Sequence, residues 1–204
     1  MSPAPLVLAM LLAGPVQPAV ANRPPPPRPG LSWAEADVLA QALEEVEAAF
    51  KAGKPVTKLS LVVTEAQLNS YLNLTLGPNM PPGVSDVAVQ LADNGLVVRA
   101  KVDLDRVPLK RPTGGAWSLY SLLSGVVPVE ISGRLLARDG MGTIDLKEAR
   151  LGNWPVPASL VGQLVGNSTK SAANPQGFDI QAPFRLPYAM RRVRFELGRA
   201  VVDF

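Results

Sequence analysis

The chain has neither cysteine nor histidine among its 204 residues. Without histidine it has no imidazole base near neutral pH and no Ser-His or Cys-His nucleophile pair. The two absences together remove the usual protein ligands of structural zinc, haem and iron–sulfur clusters. No disulfide can form, so the fold must be stabilised by burial alone. We therefore expect a protein that is not an enzyme and that holds no metal ion and no cofactor, although chemistry by carboxylates, lysine or tyrosine is left open.

Charged and aromatic residues are also scarce, at 18% and 5%, whereas 47% of the residues are hydrophobic. This composition and length fit one globular domain of ordinary size with a real core. The formal net charge is only +3, and the basic residues are spread along the chain. A nucleic-acid-binding protein would show a dense basic stripe with interleaved aromatic residues. We therefore expect no nucleic-acid partner.

The first residues have the pattern of an export signal. An apolar run over 6–13 is followed by small residues ending in Ala-Val-Ala at 19–21, as in a secretory signal peptide, although no Lys or Arg precedes the run. The run is too short to span a bilayer. We expect a signal peptide over 1–21, a polyproline spacer over 22–30, and a single domain over 31–204. The mature protein would then be periplasmic or secreted; a disordered Pro/Ala tail is the alternative.

Three segments carry the signals of a helix. Ser32 with Glu35, and Thr64 with Gln67, have the spacing of a capping box, in which each side chain binds a backbone N–H of the other residue. The first box opens a long amphipathic helix that stops in "KAGKP", and the second opens a short apolar one. A third helix has Pro157 in its first turn, and its "LVGQLVG" stretch has two glycines that permit close approach to strands.

The middle of the chain alternates apolar and polar residues, as strands do when one face is buried. One hairpin turns at 93–95 (Asp-Asn-Gly), a second at 139–140 (Asp-Gly), and a third at Gly198. On the return strand of the first hairpin, the apolar positions continue to Leu104. These strands need a cover on their apolar face. The sequence predicts an α+β fold: a strongly curved antiparallel meander wrapped over a long N-terminal helix, with two further helices.

The acidic residues do not point to a catalytic site. Asp103 and Asp105 are spaced to share one strand face, but neighbouring basic residues make a solvated, charge-balanced exterior the favoured interpretation. Glu130, Asp145 and Glu148 suggest a glycosidase only if they converge, which the alternation does not predict. No G-x-S-x-G elbow, S-x-x-K motif or phosphate-binding loop is present.

Two features stand out from this background. The apolar segment Trp117–Leu123 lies between the hairpins, either as a helix that plugs the core or as a lid that contacts a ligand or a membrane. The second feature is a set of basic residues that serve solubility or contact an anionic head group. That set is Lys110, Arg111, Arg191, Arg192 and Arg194.

The capped "VTEAQLNSYL" helix, the pair of hairpins and "PVPASLV" resemble small bacterial cell-envelope proteins of the tubular lipid-binding (TULIP-like) type. The resemblance extends from about Ser32 onward at the level of pattern. In that family a strongly bent antiparallel sheet wraps around a long helix and leaves an apolar groove. The resemblance implies that this protein binds or transfers a lipid or similar apolar molecule, and it carries over no catalytic residue.

On this interpretation, the apolar face of the sheet and the helices that cover it bind the ligand. The predicted ligand-binding residues are Leu68, Leu72, Val89, Leu91, Val98, Val102, Leu104, Trp117, Tyr120, Leu123, Ile131, Leu135, Ile144 and Leu164. The predicted head-group contacts are Arg191, Arg192 and Arg194. A transient contact with a membrane surface or an envelope protein is also expected. The alternative function is a structural or adaptor domain in cell-envelope assembly, with a filled interior and an edge strand or the Trp117 segment bound to a protein partner.

Overall fold

The computed structural model of the protein describes residues 28–54, 60–80, 82–106, 124–168 and 175–204. Its helices are α1 (Trp33–Lys51), α2 (Glu65–Ser70) and α3 (Ala158–Ser168). Its strands are β1 (Ser60–Thr64), β2 (Val84–Ala92), β3 (Gly95–Asp103), β4 (Val126–Arg138), β5 (Met141–Leu151), β6 (Trp154–Pro155), β7 (Phe184–Arg185), β8 (Arg192–Glu196) and β9 (Arg199–Asp203). The predicted signal peptide, most of the predicted spacer, and Lys110, Arg111 and the Trp117 segment lie outside the described residues.

The nine strands form one antiparallel sheet, which confirms the predicted α+β class. The long strand β4 pairs with β5 along one edge, and on its other edge pairs first with β3 and then, near its end, with β8. The path continues through β9 to β1, so that β1 and β2 lie at opposite ends of the order. The three predicted turns are all present. Strands β6 and β7 were not predicted, because two residues are too few to show alternation.

Two irregularities bend the sheet. The pairing of β2 with β3 shifts between Ser85 and Ala88, and that of β4 with β5 shifts between Ser132 and Gly133. Such bulges add a residue to one strand and increase its local twist. At the second bulge a Cβ on Gly133 would lie 2.9 Å from the carbonyl oxygen of Asp145, so the close approach requires glycine. The predicted curvature therefore has a local cause in the first and second hairpins.

Helix α1 begins and ends where the sequence predicts, but one capping detail is wrong. Ser32 occupies the N-cap position, yet its side chain makes no capping hydrogen bond. Its backbone N–H instead donates to the hydroxyl of the buried Ser70, at 3.0 Å. The start of α1 is thereby joined to the end of α2, and α1 packs mainly on α2 and the turn after it.

The capping box at the start of α2 is confirmed. The Thr64 hydroxyl accepts from the backbone N–H of Gln67 at 3.2 Å, and the Gln67 side chain accepts from that of Thr64 at 3.0 Å. After Ser70 the helix widens into a π-helical turn, closed by a hydrogen bond from the N–H of Leu76 to the carbonyl of Tyr71 at 3.0 Å. The predicted apolar face of this segment is buried.

Polar side chains of this helical segment seal the free edge of β2. Asn69 pairs with Val89 in both directions: its amide nitrogen donates to the Val89 carbonyl at 2.8 Å, and its amide oxygen accepts from the Val89 N–H at 2.6 Å. Asn73 donates to the carbonyl of Val87 at 2.6 Å, and Glu65 accepts from the N–H of Leu91. Four helical residues advance about 6 Å and two strand residues about 6.8 Å, so a residue at every fourth helix position meets alternate residues of the strand.

Candidate ligand-binding face

The inner face of the sheet is the side on which the helices and the loop 186–191 pack. The strand register aligns apolar side chains across this face. Val98 of β3 lies opposite Ile131 of β4, which lies opposite Ala149 of β5. Near the other end of β4, Ala137 lies opposite Val193 of β8. One apolar face therefore crosses the sheet from β3 to β8, as the alternation predicts.

Three groups of buried side chains cover parts of this face. The helix cluster, under α1 and α2, contains Leu39, Val63, Leu68, Tyr71, Leu72, Leu76, Val87, Val89, Leu91 and Ala200. The loop cluster contains Ala137, Leu186, Met190, Val193 and Val202. The α3 cluster contains Ala149, Val161, Phe178 and Ile180. The core described by the structure is thus divided rather than continuous.

The apolar side chains that lie between the clusters are only half-buried by the described residues. Five of the predicted ligand-binding residues have this intermediate exposure: Val98, Val102, Ile131, Leu135 and Ile144. Val98 lies at the margin of the helix cluster, Leu135 at that of the loop cluster, and Ile131 and Ile144 at that of the α3 cluster. We call these five residues and the cross-strand pair of Ala100 and Val129 the open middle of the inner face.

The other predicted ligand-binding residues are placed differently. Leu68, Leu72, Val89 and Leu91 are fully buried in the helix cluster, so they build the core under α2. Trp117, Tyr120 and Leu123 lie outside the described residues, and Leu164 belongs to α3 but its side chain is not described.

The prediction for Leu104 is wrong in one respect, because β3 ends before it. The Asp103 carboxylate accepts from the backbone N–H of Asp105 at 3.1 Å, which turns the chain. The N–H of Leu104 donates to the carbonyl of Gly125 at 3.0 Å. Leu104 is half-buried in this turn.

The glycines of α3 permit a close approach, but not by strands. A Cβ on Gly166 would lie 3.7 Å from the Phe178 carbonyl oxygen, and one on Gly162 would lie 3.6 Å from Ile180. The segment that crosses α3 is therefore 177–180, which carries Phe178 and Ile180 into the α3 cluster.

A small pocket lies where the first bulge meets the end of the π-helical turn. Its volume is about 230 Å³, and its lining is Leu72, Asn73, Gly77, Met80, Val84, Ser85, Asp86 and Val87. Asp86 has a φ of 52°, which a residue other than glycine rarely adopts. Its carboxylate lies 2.7 Å from the ammonium group of Lys101, and the hydrogen bond to Lys101 holds the pKa of this carboxyl below its usual value. The pocket is too small for a long chain, since drug-sized ligands need roughly 300 Å³ or more.

The clearest buried titratable group on the inner side is Tyr71, in the helix cluster. Its side chain is only 1% exposed. Burial, with smaller contributions from Tyr188, Glu44 and Glu47, raises the pKa of Tyr71 to about 12. The hydroxyl is therefore protonated at neutral pH.

This raised pKa predicts a loss of stability in alkali. The pKa of Tyr71 is about 12 in the folded protein and the ordinary 10.0 in the unfolded chain. Below pH 10 both states are protonated and stability is unaffected, whereas between pH 10 and pH 12 the unfolded chain loses its proton first and the stability of the fold decreases. The difference corresponds to about 3 kcal/mol in the free energy of unfolding. Urea denaturation between pH 9 and pH 12 should show this loss in the wild type and not in Tyr71→Phe. Parallel curves for the two proteins would contradict it.

Comparisons leave the resemblance untested. No family model, no curated protein and no solved structure matches this chain. The TULIP-like resemblance therefore stays a prediction.

Within the described ranges, no group of three acidic residues is placed to hold a metal ion. No described helix is both long enough and apolar enough to cross a bilayer. Of the predicted head-group residues, Arg194 lies 3.5 Å from the carboxylate of Asp203, and Arg191 and Arg192 are exposed at the start of β8.

Proposed function

We propose that the protein binds a lipid or a similar apolar molecule on the open middle of the inner face, without catalysing a reaction. The half-buried side chains between the three clusters carry this proposal. They form an apolar surface across three neighbouring strands, with Val98 opposite Ile131 and Ala100 opposite Val129. An acyl chain that covers this surface gains about 0.8 kcal/mol for each buried methylene group.

The location of the charged residues also supports a ligand without charge along its length. On β3, Arg99 and Lys101 project from the outer face and pair with Glu130 and Asp86. On β5, the ion pairs of Lys147 with Asp145 and of Arg150 with Glu148 are also largely exposed. None of these charges faces the open middle.

The test is whether the protein carries or binds an acyl chain. Native mass spectrometry of the protein purified from a membrane-containing host should show a bound lipid, and a fluorescent fatty-acyl probe should bind to the delipidated protein. A lipid-free protein that also ignores the probe would overturn the proposal and favour the adaptor alternative.

A pair of matched variants locates the binding surface. Ala100→Phe adds a bulky side chain to the open middle, whereas Ala88→Phe adds the same group to the outer face of the neighbouring strand, opposite Arg99. Both alanines are half-buried. We expect Ala100→Phe to weaken probe binding roughly tenfold or more, because it occupies the volume of at least two methylene groups of the ligand. Equal affinities for the two variants would place the probe elsewhere.

A further inference from the structure

One end of the sheet brings four arginines together, and we call this group the arginine rim: Arg138, Arg185, Arg191 and Arg192. Arg138 and Arg185 are both cross-strand neighbours of one residue of β5, Met141. Arg185 of β7 lies opposite Met141, and Met141 lies opposite Arg138 across the β4–β5 turn. Residues that are paired across antiparallel strands project from the same face. These three side chains therefore form a row across β7, β5 and β4.

The other two rim arginines are placed by the neighbouring strand. The bridge between Ala137 and Val193 sets Arg192 beside the last residue of β4. The N–H of Gly140 in the β4–β5 turn donates to the carbonyl of Arg191 at 3.1 Å. The rim arginines thus come from the end of β4, the end of β7 and the start of β8, that is, from position 138 and from the distant stretch 185–192.

Two acidic residues, Asp139 and Asp203, lie at this end, so the four rim arginines keep a net positive charge. Asp139 lies 3.4 Å from Arg138, but both side chains are more than 80% exposed, so the pair is weak. Asp203 lies directly opposite Arg192 in the pairing of β8 with β9, and its carboxylate lies 3.5 Å from the guanidinium of Arg194. In the described part of the chain, no carboxylate lies within ion-pair distance of the other three rim arginines.

Apolar side chains are exposed beside the rim. Leu136 is 58% exposed and Met141 42%, and both belong to the strands that carry the rim. Leu136 lies two residues before Arg138 and so on the same outer face of β4. Phe50, at the end of α1, is 51% exposed and lies on the inner side of this end of the sheet, where its ring centroid is 5.7 Å from that of Tyr188, edge to face. Tyr188 and Ala189 both have positive φ, a conformation that costs energy in residues other than glycine and often marks a functional segment.

We propose that the arginine rim docks the protein on a membrane surface rich in anionic lipids. Arginine forms bidentate hydrogen bonds with phosphate groups. Aromatic rings are favoured at the level of lipid head groups, and exposed aliphatic side chains enter the boundary below them. A polyanion such as a nucleic acid would satisfy the arginines but would leave the aliphatic side chains in water. The inference does not depend on a ligand at the inner face.

The experiment is flotation of the wild-type protein with vesicles of phosphatidylcholine alone, or mixed with an equal amount of phosphatidylglycerol. We expect binding only to the anionic vesicles, and less of it at high salt. Neutralising three rim residues, with Arg138→Gln, Arg185→Gln and Arg192→Gln, should weaken binding roughly a hundredfold, because each arginine near the surface contributes about a factor of five.

The matched control neutralises three basic residues elsewhere on the outer face: Arg99→Gln, Lys147→Gln and Arg150→Gln. It changes the net charge by the same amount and should keep most of the binding. Equal losses in both triple variants, or no binding of the wild type to anionic vesicles, would overturn the proposal. The three single rim variants, each expected to lose about fivefold, decide the question if the triple variant fails to fold.

Leu136→Ser, on the same outer face of β4 as Arg138, distinguishes a membrane from another polyanion. It should weaken binding to anionic vesicles several-fold and leave binding to heparin unchanged, because heparin offers no apolar layer. Equal behaviour on the two surfaces would show that the rim recognises charge alone, which would overturn the membrane assignment. Probe binding at the open middle should be unchanged in every rim variant, so failure of this inference is distinguishable from failure of the proposed function.

Discussion

Replacing Asn69 with alanine should lower the free energy of unfolding by about 3 kcal/mol. The side chain of Asn69 satisfies both the N–H and the carbonyl of Val89 at the edge of β2. Alanine leaves both backbone groups without a partner in a partly buried position, where each costs roughly 1–3 kcal/mol. Urea denaturation at neutral pH measures the difference.

Two further variants sharpen this test. Asn79→Ala removes an exposed asparagine from the turn before β2 and should change stability by less than about 0.5 kcal/mol. Asn69→Asp keeps an acceptor for the Val89 N–H but turns a carboxylate towards the Val89 carbonyl. Relative to the wild type, Asn69→Asp should therefore recover stability as the pH falls and the carboxylate is protonated. A loss in Asn69→Ala no larger than in Asn79→Ala would contradict the role of the edge contacts.

Replacing Gly177 with alanine should destabilise the protein by about 3 kcal/mol or more. Gly177 has a φ of 75°, and a Cβ there would overlap the carbonyl oxygen of Gly166 in α3. The overlap is with backbone, so no side-chain rotation relieves it. The chain would have to lift from α3, and Phe178 and Ile180 would leave the α3 cluster with it.

Gly198 provides the matched control, because it has nearly the same φ of 74° but open space around it. A Cβ at Gly198 meets no atom within 4 Å in the part of the chain that the structure describes. Gly198→Ala should therefore cost only the conformational penalty of about 1 kcal/mol. Equal losses in the two variants would show that the close crossing over α3 contributes nothing to stability.

The long strands and their turns were predictable because alternation and turn chemistry act locally. Asn94 and Gly95, or Asp139 and Gly140, reverse the chain wherever the flanking strands pair. The errors arise where a distant partner decides the outcome. Ser32 has the spacing of a capping box, yet its N–H bonds to Ser70, which no local pattern indicates.

The candidate site could be predicted only in part for the same reason. Alternation assigns Val98 and Ile131 to the apolar face, and the structure places them there. It cannot separate them from Val89 and Leu91, because burial depends on which stretch of sheet a helix covers. The arginine rim depends on strand order, which joins Arg138 to Arg185 through β5 and is not encoded in their spacing. Glu65, Asn69 and Asn73 recur at helical spacing in the sequence, but that spacing does not identify β2 as the strand that they contact.

The seal along β2 also limits how this protein can associate with others. An open strand edge is a template on which another chain can add a strand, and that route leads to domain swapping and fibrils. At β2 the amide and carboxylate groups of α2 and of its π-helical turn occupy the positions that an incoming backbone would need. A partner that extended the sheet at this edge would first have to detach α2 and expose Leu68 and Leu72 to water. Association at this edge therefore requires partial unfolding, so α2 hinders polymerisation by strand addition.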